Sequence, residues 1–287
     1  MSSAVVLIPA RRQILWGWQA VVNFTLGGIG AGLYGTAVLA AGFERTPAVV
    51  LASWLGPLLV LAGFAAVAGE AGRPLRGPRV LWRVRTSWMS RELWIGAAFV
   101  LLIAADFAFP LRLHRAQALA AAVLLALAQG FILRCSRGIA AWDVPLMPWL
   151  FLLSAAVSGS GAYMLIEVLA GRSVPPAVLV ASILLLILAS WAGRVYVRTP
   201  AGRAFTEATA SLRDGFAGRV AAGLGGALPL GALAVALLVP AAATAAAALA
   251  GLAMVAGQAY FKNELIVRAG LLRPVTVPNL RLSRRPS

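Results

Sequence analysis

The sequence predicts an all-α integral membrane protein, an eight-transmembrane-helix bundle forming a single polytopic domain over residues 1–287. Two observations predict it. Hydrophobic residues make up 61% of the chain and charged residues 12%, with a mean hydropathy of +0.88, far from the balance of a water-soluble domain. The apolar residues also form continuous runs near the length of about 20 residues that a helix needs to cross a hydrocarbon core. These runs lack the period-two alternation of a membrane β-barrel. Helices satisfy their own backbone in lipid, so a helical bundle follows.

Eight runs stand between the charges, at residues 14–41, 48–69, 93–110, 116–133, 144–170, 176–192, 220–239 and 241–260. The first, second, fifth and sixth are the clearest, while the last two are one Ala/Gly-rich tract divided only at Pro240. The longest polar connections, 70–92 and 193–219, are too short to bury a core of their own.

Basic residues orient the bundle. With eight crossings, 21 of the 25 Lys and Arg fall on the face that carries both termini and the loops 70–92, 134–143 and 193–219. Only Arg45, Arg112, Arg115 and Arg172 fall on the other. The positive-inside rule then makes both termini cytoplasmic. The net charge of +16 reflects this topology and contact with membrane lipid, and no nucleic-acid partner is expected, since no soluble module accompanies the charge. Arg11-Arg12 reads as a cytoplasmic anchor for the first helix, because the run after it is too long for a signal-peptide core.

Several chemistries are excluded by composition. The only histidine, His114, sits in the short loop after the third run, so there is no pair of helix histidines to hold a haem. One cysteine, Cys135, supports neither an iron–sulfur cluster, nor structural zinc, nor an internal disulfide. There is no phosphate-cradling GxxxxGK[ST] sequence.

Polar residues at membrane depth are the next signal: Gln19, Asn23, Asp106, Gln129, Tyr163 and Glu167. Ionisable groups there face a bundle interior, pair up, or mark a ligand or proton path. Asp106 lies about 20 Å beyond Glu92 along a helix, so Asp106 and Glu167 are read either as interfacial groups near helix ends or as a proton route to the outer face. Gly27-Gly28-Ile29-Gly30-Ala31-Gly32 lets another helix, or a flat ligand, approach the backbone closely, with helix packing the simpler reading.

The 70–92 loop carries six arginines and ends in Ser87-Trp88-Met89-Ser90-Arg91-Glu92. Ser87 or Ser90 can cap the following helix, with Arg91 and Glu92 in its first turn. Trp88 offers an aromatic face and an N–H donor at the interface. A quinone headgroup takes two protons with two electrons, so its site needs hydrogen-bond donors, a proton-exchanging group and an apolar entrance. By itself the loop reads more simply as a capped helix with a snorkelling, lipid-binding arginine cluster.

Glu70-Ala71-Gly72-Arg73-Pro74 and Ser87-Trp88-Met89-Ser90-Arg91-Glu92 resemble paired motifs of the membrane-anchor subunits of DMSO reductase and polysulfide reductase, the NrfD-like family. There the pattern is His-Leu-Gly-Arg-Pro followed by Ser-Trp-x-Ser-Arg-Glu, and Glu70 stands here in place of the histidine. The resemblance implies a quinone site built from Asn23, Glu70, Arg73, Ser87, Trp88, Ser90, Arg91 and Glu92, with Glu92 matching the family's carboxylate. It implies menaquinone or ubiquinone as the electron carrier, with no haem. It implies two partners: a ferredoxin-like iron–sulfur subunit and a molybdenum or tungsten bis-pterin catalytic subunit. The expected function is the membrane-anchor, quinone-reacting subunit of an oxidoreductase complex of anaerobic respiration, in a bacterial or archaeal inner membrane. A cytoplasmic loop favours an intracellular substrate, as in a complex resembling phenylacetyl-CoA:acceptor oxidoreductase. The alternatives are a secondary transporter using Asn23, Asp106 and Glu167, and a purely structural membrane anchor, for which Glu70 is the best argument.

Overall fold

The computed structural model describes residues 5–14, 16–70 and 81–277. The long helices are α1 (Trp18–Ala40), α2 (Pro47–Glu70), α3 (Trp88–Ala108), α4 (Arg112–Arg134), α5 (Met147–Leu169) and α6 (Pro176–Val197). Three short helices follow, α7 (Arg203–Ala208), α8 (Ala210–Arg213) and α9 (Phe216–Ala222). A π-helical turn (Gly223–Ala227) joins α9 to α10 (Leu228–Leu238). The last helix, α11 (Ala243–Asn263), runs into a second π turn (Glu264–Arg268).

The fold is an all-α membrane protein. Among the described residues, seven helical segments are long and apolar enough to cross a membrane. The expected count was eight, and the run missing from the seven is α3, which carries Arg91, Glu92 and Asp106. The seventh expected span, 220–239, is found as the continuous helical segment Phe216–Leu238, in which the glycines let the backbone widen into the π turn between α9 and α10. The break at Pro240 is found where expected, as a 3₁₀ turn Pro240–Ala242. His114 lies in the first turn of α4, not in a loop.

Helix α1 is the axis. It packs on α2, α4, α5 and α11, while α5 touches α1, α4, α6 and α11. Small residues set these approaches. A Cβ on Gly32 would overlap the Ala155 carbonyl of α5, and one on Gly159 would overlap the Gly32 backbone, so the two helices meet backbone to backbone. Gly30 and Gly56 make the equivalent contact between α1 and α2, and Gly161 and Gly251 between α5 and α11. α6 shows its side chains to lipid instead, with Leu184, Ile187 and Trp191 exposed.

Strands were not expected, yet the chain ends pair. β1 (Val5–Ile8) runs antiparallel to β4 (Val275–Val277), and β2 (Arg11–Arg12) to β3 (Leu271–Leu272). The Gln13 N–H donates to the Gly270 carbonyl at 2.8 Å, and Arg273 reaches both the Gly138 carbonyl and Asp143. The paired segments 5–12 and 271–277 and the α4–α5 connection therefore share one end of the bundle. Trp18, Trp94, Trp149 and Trp191, all exposed, lie toward this terminal end, as indole rings do at a membrane interface.

Candidate functional site

Helix α3 begins where a side chain can replace its missing backbone partners. Ser87 is extended and its hydroxyl accepts from the Ser90 N–H at 3.4 Å. One turn on, Ser90 and Glu92 are buried. The Glu92 carboxylate accepts from Asn23 Nδ2 of α1 at 3.2 Å and from Gln129 Nε2 of α4 at 3.1 Å. Three helices are thus joined through one carboxylate oxygen. Gly27 makes room for this: a Cβ there would collide with the Gln129 amide. Asn23 Oδ1 is buried and has no hydrogen-bond partner among the described residues.

The rest of the motif lies beside this cluster rather than in it. Trp88 stacks on Phe131 of α4 with ring centroids 4.3 Å apart and planes at 9°. The Arg91 guanidinium lies over the Trp88 ring, 4.3 Å from its centroid, and donates to the Val84 and Arg85 carbonyls at 2.8 Å each. Trp94 Nε1 donates to the Leu81 carbonyl. Trp88 therefore ties the start of α3 to α4, and Arg91 and Trp94 tie the 81–85 connection to α3. Arg73 and Pro74 lie outside the described residues, and so does the side chain of Glu70.

Asp106 and Glu167 are far from Glu92, at the opposite end of the bundle, and each is held by an arginine. Asp106 pairs with Arg115 at 3.2 Å with both side chains buried. Glu167 takes two hydrogen bonds from Arg172, at 3.0 and 2.8 Å. Glu44 and Arg112 pair at the same end.

Two residues at the centre were not among the expected site residues. Gln129 was visible as a polar residue at membrane depth, and only packing shows that it faces Glu92. Lys262 was counted with the C-terminal surface charge; it is instead 1% exposed in α11. Its ammonium donates to the Phe24 carbonyl at 2.8 Å and sits 5.6 Å from the Phe151 ring, above Gly28. Its signal in the sequence is that it is the only lysine in a chain whose other basic residues are all arginine. Among the described residues no group of three or more His, Cys, Asp or Glu side chains could hold a metal ion.

The family model for the DMSO reductase anchor subunit (DmsC) matches residues 15–215. The chain belongs to this family. No curated protein matches it. As a DMSO reductase anchor subunit it is the membrane anchor of an oxidoreductase complex of the DMSO reductase type. The matched region of the anchor subunit holds the whole Asn23, Glu92 and Gln129 cluster, whereas Lys262 lies beyond it.

Proposed function

We propose that this anchor subunit exchanges electrons between a docked iron–sulfur subunit and the membrane quinone pool, with Glu92 as the group that passes the proton. The catalytic partner is a molybdenum or tungsten bis-pterin subunit, beyond the iron–sulfur subunit. The observation that carries the reading is the buried carboxylate of Glu92, held by two amide donors from different helices in a chain of this family. Asn23 and Gln129 fix the position of the carboxylate. The unpartnered Asn23 Oδ1 is an acceptor suited to a quinol hydroxyl. Reduction of the headgroup needs two protons for two electrons, and a carboxylate at the α3 end of the bundle can exchange them with the terminal side. Ser87, Trp88, Ser90 and Arg91 come from the same motif as Glu92, and the resemblance adds Arg73 and Glu70, the latter in the place of the family's histidine.

Eight crossings complete this reading. The pairing of β1 with β4 and of β2 with β3 supports an even number of crossings between them, with α3 as the eighth beside the seven clearly apolar segments. The excess of arginine supports a terminal end on the cytoplasmic side of an inner membrane. Proton exchange stays on that side, and the arginine-held Asp106 and Glu167 act as clasps.

The test is Glu92→Gln in the assembled complex. Loss of a positioned proton-exchanging group lowers turnover by about 10²–10⁴. Quinone-coupled turnover should fall in that range while dye-coupled activity and subunit stoichiometry stay at the wild-type level. Undiminished quinone turnover would overturn the assignment of Glu92 as the group that passes the proton.

A further inference from the structure

On the other side of α5 from Glu92, a cavity of about 550 Å³ opens between α5, α6, the Gly223–Ala227 turn and α11. It shares no residue with the Asn23, Glu92 and Gln129 cluster. We infer that it is a binding site for an anionic phospholipid, with the phosphodiester at Arg194 and Arg213 and an acyl chain along the glycine-lined wall.

Shape comes from the π turn. Gly225 and Gly226 face the cavity from that turn and Gly257 from α11, and a Cβ on Gly257 would strike the Gly225 backbone. Leu150, Leu153 and Leu230 complete an apolar wall suited to a hydrocarbon chain. Charge comes from the terminal end. Arg194 and Arg213 are the charged residues of the lining, and no Asp or Glu is among the described lining residues. Arg194 uses Nε on the Ser190 carbonyl at 3.3 Å, and Arg213 uses Nε on the Val197 carbonyl at 3.1 Å. Neither side chain is tied to a carboxylate among the described residues, so the pair is an unneutralised cation site at the mouth of an apolar slot.

Depth fits the same ligand. Arg194 lies one turn from the end of α6, at the level where phosphates sit, and Ser190 lies on the same face one turn deeper, about 6 Å. That is the level of the ester oxygens. Gln258 of α11 lines the cavity too, as does Ser154, whose hydroxyl has no partner among the described residues. A quinone carries no charge for the arginines to meet, whereas a phosphodiester does.

The assembled complex, stripped of lipid in neutral detergent, is titrated with phosphatidylglycerol, phosphatidylcholine, inorganic phosphate and a ubiquinone. Retained lipid is counted by mass spectrometry and thermal melting is followed. Wild type should hold phosphatidylglycerol about 30-fold more tightly than phosphatidylcholine, the equivalent of ~1 kcal/mol for each of two arginines near anionic lipid. Phosphate alone should produce no rise in Tm. Arg194→Gln/Arg213→Gln should abolish the preference, while Arg198→Gln, an exposed arginine at the same end outside the cavity, should keep it. Equal retention of the two lipids, a shift given by phosphate alone, displacement of the lipid by the quinone, or an effect of Arg198→Gln as large as that of the cavity pair would each overturn the inference.

Discussion

Replacing Arg115 by Met separates a structural clasp from a proton route. Arg115 and Asp106 meet at 3.2 Å with side chains 5% and 7% exposed. Asp106 also accepts from the Leu111 N–H at 3.1 Å, and Arg115 donates to the Phe43 carbonyl at 2.8 Å. Arg115→Met leaves a buried carboxylate without its cation, which costs about 3–5 kcal/mol. Asp106→Leu/Arg115→Met removes both charges. Its remaining loss is two backbone partners, the Leu111 N–H in the α3–α4 turn and the Phe43 carbonyl in the α1–α2 turn, at the low end of about 1–3 kcal/mol each. The double variant should therefore recover about 1–3 kcal/mol relative to the single one, although it lacks more polar groups. Reversible unfolding in mild detergent measures both, and turnover per assembled complex is read in parallel. Because the pair lies at the opposite end from Glu92, the double variant should keep turnover within about a factor of two. A single variant costing under about 1 kcal/mol, or a double one worse than the single, would refute the buried-pair reasoning. A collapse of turnover in an assembled, stable double variant would return Asp106 to the proton path.

Asn23→Leu removes one of the two donors to Glu92; a hydrogen bond to a charged group contributes about 1.5–3 kcal/mol, so kcat/KM for quinol should drop by about ten- to a hundred-fold with the complex intact. A loss confined to assembly would contradict that assignment. Gly32→Leu places a side chain in the α5 backbone and should cost more than about 3 kcal/mol, shown by failed insertion or a lowered Tm. Gly231→Leu, where a Cβ meets open space, should change stability by less than about 0.5 kcal/mol. Trp142 is buried and its Nε1 donates to the Leu265 carbonyl at 2.9 Å in the second π turn, so Trp142→Phe should lower unfolding free energy by about 1–2 kcal/mol without altering dye-coupled activity.

The sequence by itself determined the class. Long apolar runs are sums over neighbouring residues, so hydropathy reads them directly, and the Ser87 to Glu92 motif marks one helix start with its cap in place. The same local character explains what it missed. Short pairings near the chain ends join residues 259 to 272 positions apart, and nothing in Val5–Ile8 reports Val275–Val277 as its partner. The widening between α9 and α10 depends on how Gly225 meets Gly257, again a contact between distant helices. Only the tertiary structure decided which polar groups converge. Gly27 and Gly28 could have served packing alone, yet packing turns Gln129 onto the first and Lys262 onto the second, while Gly30 and Gly32 bring whole helices together. The sequence left Asp106 and Glu167 as interfacial groups or a proton route, and the folded chain separates them from Glu92: those two are bound by arginines, and Glu92 is held by neutral amides. In a low-dielectric interior a charge is defined by the groups within a few ångströms of it, and for this protein those groups come from other helices.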